Sequence, residues 1–155
     1  MKTTGNLIIL LLVVSLGAAS VLATTWSPKE VECPLCGHKF QAQSIASYGG
    51  YIYNWPSKYQ MIFWPHTTHN ALYFCPKCHH CALMGDFSKV PADKASSIAN
   101  AIAPLKRKLQ PGPYNQVDIA YRLRLAEAVY GQLDKDDDFW CFFHRMAAYM
   151  LDKKG

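Results

Sequence analysis

Two short cysteine motifs constrain this chain more than any other feature of its sequence. They are Cys33-Pro34-Leu35-Cys36 and Cys75-Pro76-Lys77-Cys78, and each places two thiols three positions apart with a proline between them. Four sulfurs can surround one tetrahedral ion, and zinc is the usual occupant of a four-cysteine site. We therefore predict one structural zinc ion. Its predicted ligands are Cys33, Cys36, Cys75 and Cys78.

The residues after the first motif suit a metal-binding turn. Gly37 follows the second cysteine, where a tight turn requires the positive φ that glycine adopts without strain. The backbone amides of such a turn can donate hydrogen bonds to the thiolates. Phe40 is expected to pack beneath the site and to limit the access of water to the metal.

The second motif is followed by His79, His80 and Cys81 instead of a glycine. The sequence leaves open whether any of these three joins the metal ligands. Cys75, Cys78 and His79 also form the CxxCH string that attaches c-type haem, although a haem protein has no role for the first motif. A further alternative is thiol–disulfide redox chemistry by the two motifs, with Cys81 as the resolving thiol.

The chain contains six cysteines, so two lie outside the motifs. Cys81 and Cys141 either pair in an oxidising compartment or are ordinary buried thiols. His144 lies one helical turn after Cys141, and we interpret both as packing residues. Two more histidines, His66 and His69, lie in a polar loop and lack a third ligand at a typical zinc spacing.

The N-terminal segment has the order of a secretory signal peptide. Lys2 precedes the apolar run Leu7–Leu16, and Val21-Leu22-Ala23 resembles a cleavage site before a polar residue. We predict that residues 1–23 are a signal peptide cleaved after Ala23, with an uncleaved membrane anchor as the alternative. The remaining chain is then exported to the periplasm or the cell exterior, and it meets a membrane only through an uncleaved anchor.

The charge distribution argues against a nucleic-acid partner. The formal net charge is +5, and it becomes +4 without Lys2, the only charged residue of the leader. Lys106-Arg107-Lys108 is the only basic run, and it suits the end of a helix, where cations are stabilised by the helix dipole. An exported chain with one short basic run is expected to bind no nucleic acid.

Residues 24–87 are predicted to form a small zinc-ribbon-like β domain rich in aromatic side chains. Thr24–Glu30 is predicted to be a lead-in without regular structure, because Pro28 discourages it. Strands are predicted at Gln60–Trp64 and at Ala71–Phe74, the second running into the second motif. The aromatic rings are expected to build the core, since a small domain has little other bulk.

Residues 88–155 are predicted to be helical, with three helices. The first begins near Pro91, and Pro104 kinks or divides it. A second helix is predicted over Tyr114–Leu133, where apolar residues fall on two faces, so that neighbours cover both sides. The acidic run Asp134–Asp138 leads into the third helix, whose N-terminus it suits electrostatically.

The last two helices are predicted to form one tetratricopeptide-like hairpin. No second copy of this hairpin occurs at a period of about thirty-four residues, so no array of repeats is expected. We expect this helical region to cover the β domain or to offer a groove to a partner protein. The fold class is therefore predicted to be α+β.

Together these features resemble an uncharacterised bacterial family of unknown function. The resemblance rests on the first motif with Gly37 and Phe40, on Phe74 before the second motif, and on the helices around residues 134–139. It implies paired CPxC zinc knuckles and a tetratricopeptide-like helical C-terminal half, and it brings no established activity. His79 stands where the family pattern has a glycine.

Overall fold

The computed structural model describes residues 24–48 and 58–152. In this part of the chain the fold is a mixture of two small antiparallel sheets and short helices, with three α-helices in the C-terminal half. The predicted α+β class is confirmed at this level. The predicted signal peptide, residues 1–23, lies outside the described residues, as do three aromatic residues of the predicted core, Tyr51, Tyr53 and Trp55.

The first sheet is a long β-hairpin of β1, Thr24–Glu32, and β2, Lys39–Tyr48. The last pair of its ladder joins Glu32 to Lys39, so that the first CPxC motif lies in the turn between the two strands. The prediction that Thr24–Glu30 lacks regular structure is wrong. Among the described residues β1 pairs only with β2, and such an edge strand tolerates Pro28 because only one side of its backbone must supply ladder hydrogen bonds.

The second sheet is a much shorter hairpin around the second motif. It consists of β3, Leu72–Phe74, and β4, Cys81–Leu83, with Phe74 paired to Cys81. The strand predicted at Ala71–Phe74 is confirmed. All six residues of the two strands are buried, in contrast to the first hairpin, whose outer face is largely exposed.

The strand predicted at Gln60–Trp64 is wrong, because the chain forms the short helix α1 at Lys58–Phe63. Tyr59 and Phe63 are four residues apart, so a helix places both rings on one face. That face is covered by the last helix, where the Tyr59 ring lies 5.3 Å from Tyr149 and the Phe63 ring lies 5.6 Å from Phe142. Packing between distant aromatic residues therefore overrides the local preference for a strand.

The helical region begins with α2, Ala95–Ile102, which follows a 3-10 turn at Ala92–Lys94. Pro104 lies in a second 3-10 turn, Ala103–Leu105, that ends this helix, as its missing amide predicts. The basic run Lys106-Arg107-Lys108 follows this turn and is exposed.

The second predicted helix is shorter than Tyr114–Leu133. Tyr114–Gln116 is a separate 3-10 turn, and α3 spans Ile119–Tyr130. The helix begins there because the Asp118 carboxylate accepts a hydrogen bond of 2.9 Å from the Tyr121 amide, which satisfies one free amide of the first turn.

The third helix, α4, spans Asp137–Asp152. The Asp136 side chain accepts a 2.8 Å hydrogen bond from the Phe139 amide, and Asp137 and Asp138 lie in the first turn. The prediction that the acidic run serves the helix N-terminus is confirmed. Phe143, Met146 and Met150 form the buried face of α4, at the spacing of three and four expected for an amphipathic helix.

One hydrophobic core joins the second hairpin to α2, α3 and α4. At its centre Arg122 of α3 is fully buried. Its guanidinium donates to the carbonyl oxygens of Leu72 at 2.8 Å, His69 at 2.9 Å and Val117 at 3.0 Å. A buried charge is tolerated only when its donors are satisfied, so Arg122 fixes α3 against the chain entering β3.

We predict that Arg122→Met lowers the free energy of unfolding by about 3 kcal/mol, because it leaves buried carbonyl groups without donors. Arg124→Met is the matched control, since Arg124 is exposed on the same helix; it should change stability by less than about 0.5 kcal/mol. Urea unfolding of the two variants at equal metal content measures the difference. Equal stabilities would contradict the anchoring role of Arg122.

Candidate metal centre

The two CPxC motifs adopt the same local structure, and each closes a β-hairpin. We call residues 33–38 the first knuckle and residues 75–80 the second knuckle. In the first, Gly37 N donates to Cys33 O and Cys33 N donates to His38 O, both at 2.9 Å. In the second, His79 N donates to Cys75 O and Cys75 N donates to His80 O, again at 2.9 Å. The matching bonds hold both cysteines of each knuckle on a tight turn.

The fifth position of each knuckle has a left-handed backbone. Gly37 has φ +66°, which confirms the prediction of a positive φ there. His79 occupies the equivalent position with φ 69°. Histidine is one of the few residues enriched in this conformation. It is held there by a hydrogen bond of 2.5 Å between its Nδ1 and the Tyr121 hydroxyl, and its ring lies 5.4 Å from that of Phe74.

The structure brings the four predicted sulfurs together, and all lie within 4.8 Å of one another. Cys33 Sγ is 3.4 Å from Cys78 Sγ, and Cys36 Sγ is 3.7 Å from Cys75 Sγ. Both short contacts join one knuckle to the other. Cys33 and Cys75 are buried, and Cys36 and Cys78 are partly exposed. Among the described residues this is a cluster of the right kind and size to hold a metal ion.

Crowding of the sulfurs separates their pKa values. The thiol of Cys33 donates to Cys75, which raises the pKa of Cys33 to about 12. Hydrogen bonds to Cys33 and Cys75 also raise the pKa of Cys78. The pKa of Cys75 is lowered, because that sulfur accepts from Cys33 and Cys78. A metal cation at this centre would compete with protons for the same sulfurs.

We predict that binding of a divalent metal releases at least two protons per site at pH 8. A pKa raised in the metal-free chain keeps Cys33 and Cys78 protonated at this pH, and both must become thiolates to bind metal. Affinity should consequently fall as the pH is lowered. Calorimetric titration in buffers of different ionisation enthalpy counts the protons, and release of none would contradict this charge arrangement.

The three residues after the second motif have other partners. His80 is fully buried, and its Nε2 donates to the carbonyl oxygen of Phe87 at 3.0 Å. Cys81 is buried in β4, and burial raises its pKa to about 12, which makes it a poor resolving thiol. His79, His80 and Cys81 all lie outside the four-sulfur group.

The three side chains of the CxxCH string also contact different parts of the protein. The sulfur of Cys75 contacts Cys36, and that of Cys78 contacts Cys33. The imidazole of His79 bonds Tyr121 on α3. The two thiols and the imidazole therefore do not share one free surface on which a porphyrin would be attached.

The remaining candidate residues do not join the cluster. The His66 ring packs edge-on against Phe142 at 5.6 Å, and the carbonyl oxygen of His69 accepts from Arg122. Cys81 and Cys141 are both free thiols. The alternative that Cys141 is an ordinary buried thiol is wrong, because Cys141 is exposed on α4. His144 is also exposed, and its ring stacks on Trp140 at 5.6 Å, as a packing residue on the helix surface.

Aromatic residues connect the metal centre to the core, and the sequence pattern indicated only the first of them, Phe40, as part of the site. The ring of Phe40 in β2 lies 5.7 Å from Phe87 and 6.2 Å from Tyr114. The Tyr114 hydroxyl donates to Asn70 O at 2.7 Å and accepts from Gln43 N at 3.2 Å, so it links β2 to the 3-10 turn that precedes β3. The sequence contains one signal for such anchoring residues. Tyr121 carries a polar hydroxyl within an apolar helical stripe.

Fold and site together define a class of small α+β proteins in which two equivalent knuckles on separate hairpins present four thiols to one point. Residues 26–145 match the family model described as "Uncharacterized protein conserved in bacteria (DUF2225)", and the chain belongs to this family. No curated protein and no solved structure matches it. Within residues 24–48 and 58–152, no helix has the length and apolar character needed to cross a membrane.

Proposed function

We propose that this protein is an exported zinc-binding protein whose four-cysteine site is structural and which acts by binding another protein. The observation that carries the proposal is the convergence of four sulfurs from two equivalent knuckles. A Zn–S bond of about 2.3 Å implies sulfur–sulfur edges of about 3.8 Å in a tetrahedron. The two short contacts, 3.4 and 3.7 Å, are close to that value and need only small adjustments.

The choice of zinc and of a structural role follows from the donor set. Four thiolates in a tetrahedral arrangement favour zinc among the metals that bind sulfur, and four protein ligands leave no open position for a catalytic water. Isolated two-stranded hairpins are marginally stable in water. Zinc bound with an apparent free energy on the order of 10 kcal/mol would hold the two hairpins to each other.

We predict about one zinc ion per chain in purified protein, and loss of the first hairpin's structure when the metal is removed. Cys33→Ser should lower the bound zinc well below one per chain and expose the amides of β1 and β2 to hydrogen exchange. Cys141→Ser is the matched control, because this exposed thiol lies outside the cluster.

Elemental analysis and hydrogen exchange, before and after a strong chelator, provide the test. A metal-free chain that is fully folded and unaffected by the chelator would overturn the zinc proposal. A Soret band in the visible spectrum would instead favour haem at Cys75, Cys78 and His79.

Export is supported by the N-terminal segment and by the position of the family match. The match begins at Trp26, after the apolar segment. Cleavage after Ala23 would leave β1 intact, since that strand begins at Thr24. The mature chain would then contain the entire metal centre.

We predict that the exported chain begins at Thr24 and that Ala23→Arg, which removes the small residue before the cut, blocks its processing. Intact mass of the protein from the native host's periplasmic and extracellular fractions decides this. Full-length protein in a membrane fraction would support the anchor instead, and full-length protein in the cytosol would contradict export.

A protein partner is supported by a groove beside the metal centre and by the helical hairpin. The groove has a volume of about 670 Å³ and lies between β1 and the turn after β4, with Lys29, Val31, Met84 and Ser88 in its wall. The helices α3 and α4 are joined by the short segment 131–136 and contact each other through Tyr130 and Phe143, whose rings are 5.5 Å apart, which suits a tetratricopeptide-like hairpin.

We predict that a photo-crosslinking residue at Ser88, in the wall of the groove, forms one protein adduct of discrete mass in the native host. The same residue at Arg124, an exposed position of α3 outside the groove, is the control. Excess unlabelled protein should suppress the adduct. Equal labelling at both positions would contradict a partner in the groove.

Redox cycling within each CPxC pair is less well supported. The proposed resolving thiol, Cys81, is buried in β4 and has a raised pKa. The two short sulfur contacts also run between the knuckles rather than within them. Neither feature favours repeated thiol–disulfide exchange at a single CPxC turn.

A further inference from the structure

We propose that the metal centre is a redox-sensitive lock: a disulfide oxidant displaces the zinc ion and joins the two knuckles through Cys33–Cys78 and Cys36–Cys75. This inference rests on the proposed zinc site and adds its regulation. It differs from CPxC redox chemistry, because each disulfide links the first knuckle to the second.

The pairing follows from distance. Cys33 and Cys78 are 45 residues apart in sequence, and their sulfurs are 3.4 Å apart. Cys36 and Cys75 are separated by 39 residues, and their sulfurs are 3.7 Å apart. A disulfide bond is about 2.05 Å long, so each pair must close by less than about 2 Å. Each of these two contacts joins a sulfur of the first knuckle to a sulfur of the second.

The different exposure of the four sulfurs indicates which thiol of each pair reacts first. Each pair combines one buried sulfur, Cys33 or Cys75, with one partly exposed sulfur, Cys78 or Cys36. The exposed member can reach a small oxidant in solution, and the buried member is already in contact with it as the resolving thiol. A lone exposed thiol would instead stop at a mixed disulfide.

The chemistry balances with glutathione disulfide as the oxidant. The Cys78 thiolate attacks one sulfur of glutathione disulfide, whose S–S bond breaks, and one glutathione thiolate leaves. The Cys33 thiolate then attacks the Cys78 sulfur, and the second glutathione thiolate leaves. The protein loses two electrons, glutathione disulfide gains them, and each leaving thiolate takes a proton from water at neutral pH.

Loss of two ligands releases the metal ion. Two thiolates remain after the first disulfide, and they are the second close pair, Cys36 and Cys75. A second equivalent of oxidant joins them in the same way. The zinc ion leaves as the free dication, while the covalent links keep the two hairpins together. The same reaction run backwards, with a thiol reductant and zinc, restores the site.

The test treats the full zinc-loaded chain with excess glutathione disulfide. We expect one zinc ion to be released per chain, in parallel with the loss of the four titratable thiols of the cluster, and dithiothreitol with zinc to reverse both changes. Cys141→Ser should release zinc as the parent chain does and lose only these four thiols, whereas the parent loses a fifth, the exposed Cys141, as a mixed disulfide. Retention of zinc under conditions that oxidise Cys141 would overturn the proposal.

Disulfide mapping discriminates between the pairings, because trypsin cuts after Lys77 and so separates Cys75 from Cys78. We expect the peptide 30–39 to be linked to both 59–77 and 78–89. Fragmentation of the linked peptides should place the bonds at Cys33–Cys78 and Cys36–Cys75. A link between 59–77 and 78–89, with 30–39 closed on itself, would show pairing within the knuckles and overturn the proposal.

The outcome separates this inference from the proposed function. A chain that contains one zinc ion but forms disulfides within each knuckle, or releases no zinc on oxidation, supports the structural zinc site and refutes the lock. A chain that contains no zinc before oxidation refutes both the zinc site and the lock. Zinc release with bonds between the knuckles supports both.

Discussion

The structure depends on one contact between two hairpins, the meeting of four sulfurs from the knuckles at residues 33–38 and 75–80. Neither hairpin has a third strand among the described residues, so each needs support from outside its own ladder. The first hairpin receives it at the sulfur cluster and through Phe40 and Tyr114. A metal ion at the cluster would replace hydrogen bonds among thiols by much stronger bonds to a common cation.

The second hairpin lies deeper in the core than the first, which contributes Val31, Cys33 and Ala42 to it. Both of its strands are buried, and α3 fixes it through a chain of polar contacts. Arg122 donates to the carbonyl oxygen of Leu72 in β3, the Tyr130 hydroxyl accepts from the amide of Leu83 in β4 at 3.0 Å, and Tyr121 bonds His79 in the knuckle. The second knuckle is thus rigidly held, and the first docks onto it.

This asymmetry explains why the two CPxC knuckles differ in their fifth residue. The first knuckle needs only a residue with positive φ, and Gly37 supplies it. The second knuckle also needs a contact to α3, and His79 provides both the backbone conformation and the hydrogen bond. An apparent departure from the glycine pattern, suggestive of a ligand or a haem axial histidine, is an element of packing in the structure.

Features with local causes could be predicted from the amino-acid sequence. The spacing within each CPxC motif, the positive φ at Gly37, the break at Pro104 and the acidic start of α4 each depend on a few adjacent residues, and each was predictable. Helical periodicity also indicated α3 and α4, although α3 begins at Ile119 rather than Tyr114 because Asp118 caps it. Other features became evident only in the folded chain. They are the sulfur contacts across 39 and 45 residues and the helix at Lys58–Phe63. They also include the pairing of β1 with β2 and the burial of Arg122. These features depend on contacts between segments far apart in the chain, and no short window of sequence contains both partners.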